Sequence, residues 1–331
     1  MGIYKFIAVV LALSMILMPL AALDSGQPEV ENDGEKDNIS DENTEEENPQ
    51  AVKVFMSQDD LVLTVTMEEY LVGVLAAEML PTYHEQALKA QAVAAYTYLL
   101  RKIAEQKTKP DEALKGAYLT NDSSAHQGYL TEEERKEKWG DKAESYEKKL
   151  QKAVSEVSGK VITYESEPII AAFHANNNGV THSAKNVWGN DVPYLQSVTS
   201  VGDKLSPDCI KTVAVTPQQF SSAVSVLDGC ELSGEAKNWV GKIKADSHGY
   251  VESVEVGGGT YTGMALREAV GLRSAVFKYE FKDGNLHFTT EGYGHGVGMS
   301  QYGADYMARQ GSTWEEILKH YYTGVKIEDY R

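Results

Sequence analysis

Two cysteines in 331 residues, Cys209 and Cys230, are too few for a disulfide framework, and at 21 positions apart they fit no zinc-ligand spacing. They read as two unpaired thiols or one structural bond, worth about 3 kcal/mol by loop entropy if it forms. Positive charge is also scarce: 31 Lys and Arg stand against 49 Asp and Glu, a net −18. That balance argues against a nucleic-acid partner. No internal repeat is visible, which removes solenoids and arrays.

A long apolar run does occur near the start. Residues 6–23 follow Lys5 and are interrupted only by Ser14 and Pro19. Eighteen residues approach the lower limit for a bilayer span. The "PLAAL" that ends the run is a poor small-x-small cleavage site, so residues 1–23 read as a signal anchor rather than a cleaved signal peptide. Residues 24–49 then carry eleven acidic residues and one lysine, ten of the eighteen net negative charges. With almost no apolar side chains to offset its ordering entropy, residues 24–50 are expected to be an acidic disordered linker. The folded part, residues 51–331, is expected outside the cytoplasm.

Within it the alternation of "VKVFMSQDDLVLTVT" predicts a hairpin. Thr66 to Glu69 has the form of a capping box opening a helix that Pro81 stops near Leu80. A second helix is predicted from about His84 to Gln106, with Leu88, Ala92, Ala95 and Leu99 on one face, and a charged helical stretch from Thr131 to Val157. Strands are expected in "GKVITY", "PIIAAFHA", "YLQSVTSV" and "KTVAVT", then a short helix from Pro217 to Leu227. Paired strands should turn at His248-Gly249 and at Asp283-Gly284, with a helix from Met264 to Val270 between them. Two closing helices are expected, the second capped by Ser312 and Glu315. Clustered helices and strands place the chain in the α+β class.

One residue conflicts with its surroundings. Glu78 falls four residues after Val74 and seven after Leu71, on the apolar stripe of its helix. It also lies in the last turn, where the macrodipole disfavours an anion. Desolvation and dipole both favour the protonated carboxyl that general-acid cleavage of a glycosidic bond requires. The alternative is a glutamate that swings out to water. Lys89 and Gln91, on the returning helix, are candidates to approach it. Glu85 reads as solvent-facing.

"EGYGHGVGMSQYGA", residues 291–304, is a glycine-rich loop between a strand and a helix, with no Gly-Lys-Ser/Thr to make it a nucleotide loop. It suits a groove where backbone approaches a polar chain such as a glycan. "AAFHANNNGVTH", residues 171–182, ends a strand in amides and hydroxyls that suit sugars or turns. His174 and His182 fit no standard zinc spacing and have no evident third ligand.

Three segments together, "AAEMLPTYHEQALKAQAVAAYTY", Asn178-Gly-x-Thr181 followed by "VPYLQSV", and "GYGHGVGMSQYGA", resemble the stage II sporulation protein D family in order and spacing. The resemblance spans roughly residues 53–330. It implies a membrane-anchored, extracytoplasmic lytic transglycosylase, a lyase that degrades peptidoglycan during engulfment of the forespore. It further implies a preference for glycan strands stripped of peptides by a partner amidase, stage II sporulation protein P, and a complex with stage II sporulation protein M. The family's catalytic acid falls on Glu78. Substrate-binding roles fall on Lys89, Asn177, Thr181, Tyr194, His295 and Gln301. No cofactor and no metal are implied. Some relatives carry a zinc held by cysteines near the segment matching 120–130, but "TNDSSAHQGY" has His126 and no cysteine, so no stable zinc is expected. Two departures stand out: Tyr96 where the family usually has Arg, and Asn177 where it usually has Ser. The rival reading is a non-catalytic glycan-binding module that stimulates a cell-wall amidase, as related amidase enhancers are described. A zinc amidase using His126, His174 and His182 is a distant third.

Overall fold

The computed structural model describes residues 51–330; the expected anchor and acidic linker lie outside the described residues. Among those described, no helix is long and apolar enough to cross a membrane. The fold is α+β, as expected.

Strands β1 (Ala51–Met56) and β2 (Leu61–Thr66) form the predicted hairpin, with Val52, Val54 and Met56 buried on alternate positions. Thr66 then caps α1 (Met67–Glu78), its hydroxyl accepting the Glu69 N–H at 3.2 Å. The return half of the expected capping box does not form, because the Glu69 carboxylate is drawn to Arg135. That guanidinium is only 1% exposed and forks between Glu69 (3.0 Å) and Glu147 (2.9 Å). Helix α2 (Glu85–Thr108) buries the predicted face of Leu88, Ala92, Ala95 and Leu99. Strand β3 (Leu119–Thr120) joins β1 in parallel.

The charged stretch is two helices, α3 (Glu132–Trp139) and α4 (Ala143–Ser155), broken at Gly140 with φ of 52°. Leu150, Val154 and Val157 are its buried stripe. Beyond β4 (Lys160–Tyr164), the predicted strand 168–175 shrinks to the end of β5 (Glu167–Pro168) and to β6 (Phe173–His174). After α5 (Ala184–Trp188), the segment 194–201 is not a strand. Its backbone instead wraps the Asn-Gly turn, Val198 O accepting from Thr181 N–H and Gly179 O from Ser200 N–H.

Residues 210–291 have a core of their own, built around Phe220, Val254, Leu266 and Phe288. It lies between β7 (Ile210–Val215), α6 (Pro217–Val224), β8 (Val240–Ala245), β9 (Val251–Val256), β10 (Gly259–Tyr261), α7 (Gly263–Val270), β11 (Phe277–Lys282) and β12 (Asn285–Glu291). Their strand orders are β11-β12-β7 and β10-β9-β8. The chain then returns to the first core through β13 (Met299–Ser300), which pairs with β6, and α8 (Gln301–Arg309). Helix α9 (Trp314–Tyr321) is capped by Thr313 and Glu316, one residue later than Ser312 and Glu315. Strand β14 (Lys326–Asp329) pairs with β4 as a largely exposed edge, and with only Ile327 apolar it left no alternation to read. Both cysteines are free; Cys209 faces the Asn177 carbonyl and Cys230 that of Val256.

Gly73 sets how closely the segment after β3 approaches α1. A Cβ there would stand 2.3 Å from the Tyr129 ring and 2.6 Å from the Leu130 carbonyl. Leu130 N–H donates to the Gly73 carbonyl across the same gap. Gly73→Ala should therefore push residues 128–130 off α1 and destabilise the fold by about 1–3 kcal/mol, read as a lower urea midpoint.

Candidate active site

Glu78 is the last residue of α1, half-buried, and its carboxylate is received by two distant segments. The Gly128 N–H donates to Oε1 at 2.6 Å, and the Gln301 amide donates to Oε2 at 3.4 Å. Burial holds the carboxyl above its ordinary range, and these two hydrogen bonds offset part of the effect. The dipole contributes less than the sequence suggested, because Lys138 reaches across from α3 to the Ala76 carbonyl at 3.0 Å and meets the helix end with a cation.

The backbone that follows is clamped. Lys149 of α4 donates to the carbonyls of Pro81 (2.7 Å) and Tyr83 (2.6 Å), and Arg309 of α8 to that of Thr82 (3.2 Å). Asp305 accepts the His84 N–H at 2.6 Å. The charged helices α3 and α4 thus hold the end of α1 in place.

Lys89 does not deliver its charge to Glu78. Its ammonium is buried against Glu85 (3.1 Å) and Glu156. Glu85 is consequently an ion-pair partner of Lys89 and Lys152 rather than a free surface residue. Gln91 is fully buried, and neither atom of its amide has a partner in the structure.

The glycine-rich loop joins β12 to β13 with positive φ at Gly292, Gly294, Gly296 and Gly298. At Gly298 a Cβ would meet the Ala172 carbonyl at 2.1 Å, so the loop threads tightly past β6. The His295 ring lies between Trp188 (5.4 Å) and His174 (5.8 Å). Burial pushes His295 and His182 down to about 4 and His174 to about 3, so all three rings are neutral at neutral pH. Asn177 is buried, its amide nitrogen 3.2 Å from His174 Nε2 and its oxygen accepting the Gly179 N–H. Thr181 is fully buried and accepts the Val198 N–H at 2.9 Å. The Tyr194 hydroxyl accepts the Ile170 N–H at 3.0 Å. Glu78 and Gln301 thus meet directly, and Asn177 and His295 both flank His174. Lys89, Thr181 and Tyr194 are engaged with neighbouring side chains or backbone.

One residue escaped sequence reasoning. Asp203 is fully buried in the turn Val201–Leu205, and accepts from Ser200 and from Ser300 (2.6 Å). Ser200 also meets the Tyr321 hydroxyl at 2.6 Å, and Ser300 caps α8 through the Gly303 N–H. Asp203 therefore fixes the start of the helix that carries Gln301. Its short polar setting, "TSVGDKLS", has no period that would mark it as interior.

Among the described residues no group of three or more His, Cys, Asp or Glu stands close enough to hold a metal ion. His126 accepts the Thr120 N–H and packs edgewise on Tyr98. Tyr96 meets Tyr330 edge-on.

A family model described as Stage II sporulation protein matches residues 56–164, the span that holds Glu78 and Lys89. Stage II sporulation protein D of Bacillus amyloliquefaciens is 39% identical over 290 residues, covering 87% of this chain and 81% of that protein. The protein of that name in Bacillus subtilis (strain 168) is 38% identical over 282 residues, 85% and 80% of the two chains. An amidase enhancer of the same strain is 28% identical over 310 residues, 78% of this chain and 40% of its own.

Burial pushes Asp203 up to about 6. With its folded pKa raised, its contribution to stability is full below about pH 4 and is lost as pH rises through about 6, a change of about 3 kcal/mol. Urea unfolding at pH 4.5 and pH 7.5 should show Asp203→Asn flattening this part of the wild-type pH dependence.

Proposed function

The chain belongs to the stage II sporulation protein D family and is a sporulation protein, and from that premise we propose that it is a lytic transglycosylase of the peptidoglycan glycan strand. The observation that carries the reading is Glu78: a half-buried carboxyl whose burial favours the protonated form, aimed between the Gly128 N–H and Gln301.

In this mechanism protonated Glu78 gives its proton to the glycosidic oxygen leaving N-acetylmuramic acid. As carboxylate it then takes the proton of that sugar's C6 hydroxyl, whose oxygen closes on C1 to give the 1,6-anhydro product. The nucleophile is intramolecular, so one carboxyl serves both steps and no second acid has to place a water. The Gly128 and Gln301 hydrogen bonds favour the anion formed midway. His295 and Asn177 line the glycan groove in this reading, while Lys89, Thr181 and Tyr194 shape it through the groups they hold. By the same resemblance the domain is anchored by residues 1–23 and works between the mother-cell and forespore membranes. Its proposed associates are stage II sporulation protein P, which supplies denuded strands, and stage II sporulation protein M.

The likeness to an amidase enhancer, with Tyr96 and Asn177 in place of Arg and Ser, favours a second reading: a glycan-binding module that stimulates an amidase without cleaving.

Purified domain on naked glycan strands should release anhydromuramyl ends, and Glu78→Gln should abolish them while the protein stays folded. Wild-type turnover should fall as pH rises past the raised pKa of Glu78, because the acid form is the active one. Binding without anhydro ends would decide for the module.

A further inference from the structure

Against the glycine-rich loop lie two arginines that the mechanism above does not use, Arg267 in α7 and Arg273 just after it. Arg267 is half-buried. Its guanidinium donates to the Arg273 carbonyl at 3.4 Å and to the Met264 sulfur at 3.6 Å, and no carboxylate among the described residues stands within ion-pair distance. Burial lowers its pKa, with only the exposed Glu268 and two tyrosines opposing. Arg273 lies over the Tyr293 ring at 4.4 Å, and its buried Nε has no partner. Its nearest acid, Asp208, is 3.9 Å away and three-quarters exposed, a surface pair of little strength.

Both arginines address one stretch of loop. Arg267 acts electrostatically on Tyr293 and His295, and the Gly294 N–H donates to the Arg273 carbonyl. Two exposed aromatics border the same stretch of loop, Tyr293 at 48% exposure beneath Arg273 and Trp188 at 38% against His295. In so acidic a chain, half-buried guanidiniums without strong partners are costly unless a ligand supplies the anion. A guanidinium fork suits a carboxylate, and an exposed flat ring suits the C–H face of a sugar.

We propose that Arg267 and Arg273, with Trp188 and Tyr293, form a subsite for a carboxylate borne on a saccharide. In a peptidoglycan strand this is the lactyl carboxylate of a muramic acid residue that has lost its peptide. The inference rests on the glycan reading above and deepens it. In an intact wall the lactyl group is tied up as an amide and carries no charge at that position, so the arginine pair selects denuded strands. Gln301 follows His295 by six positions, at most about 21 Å of extended chain, which keeps the subsite within a few sugar units of Glu78.

The test uses Glu78→Gln protein, so that no strand is consumed, and reads binding by calorimetry. The probes are naked glycan oligomers, the same oligomers with their lactyl carboxylates methyl-esterified, and neutral chitooligosaccharides of equal length. Free-carboxylate oligomers should bind about tenfold more tightly than the other two. Adding Arg267→Gln or Arg273→Gln should erase that ratio and leave chitooligosaccharide affinity unchanged, and adding Trp188→Ala should weaken all three. Should Arg267→Gln fail to fold, Arg273→Gln and the esterification contrast decide the matter. Equal affinity for esterified and free oligomers, or a ratio that survives both arginine changes, overturns the subsite and leaves the glycan reading standing. No binding of any oligomer overturns the glycan reading and the subsite with it.

Discussion

The site depends on a carboxyl kept from water without being given a cation. Glu78 closes an apolar helix and, among the described residues, accepts hydrogen bonds only from a backbone N–H 50 residues away and an amide 223 residues away. A salt bridge at this position would fix the anion; neutral donors hold the group in place and leave its proton available. The cations of the flanking helices, Lys138, Lys149 and Arg309, donate to carbonyl oxygens of the neighbouring backbone, Arg309 while also paired with Asp305. They stiffen the end of α1 while leaving the Glu78 carboxylate uncrossed.

Bringing the two donors together requires most of the fold. Gly73 lets the segment bearing Gly128 lie flat on α1, and the β13–β6 pairing returns the chain from the 210–291 region to start α8. Asp203 anchors the cap of that helix from below. Each contact joins residues far apart in the chain, so the geometry belongs to the assembled core rather than to any local motif.

This also explains which features were legible in the sequence. The hairpin 51–66, the α2 face and the turn at Asp283-Gly284 follow local rules of alternation, capping and turn chemistry, and the structure has them. Glu78 was visible because it broke a pattern. Segment 194–201 misled because its alternating residues serve the Asn-Gly turn instead of a ladder. The Lys89 pairing was equally hidden: sequence spacing brought α2 back beside α1, but Glu156, on the turn after α4, took the charge. Asp203 left no mark at all, since of its partners Ser200 lies in the same short polar turn and Ser300 is 97 residues away.

The buried imidazoles on and beside the glycine-rich loop have a consequence for the protein's response to acidity. With His174, His182 and His295 all losing their protons near pH 3 to 4, these three rings keep one electrical state from mildly acidic to alkaline conditions. Histidines usually make a surface a sensor of its compartment; packed this way they make it indifferent, and leave the reporting of pH to acids.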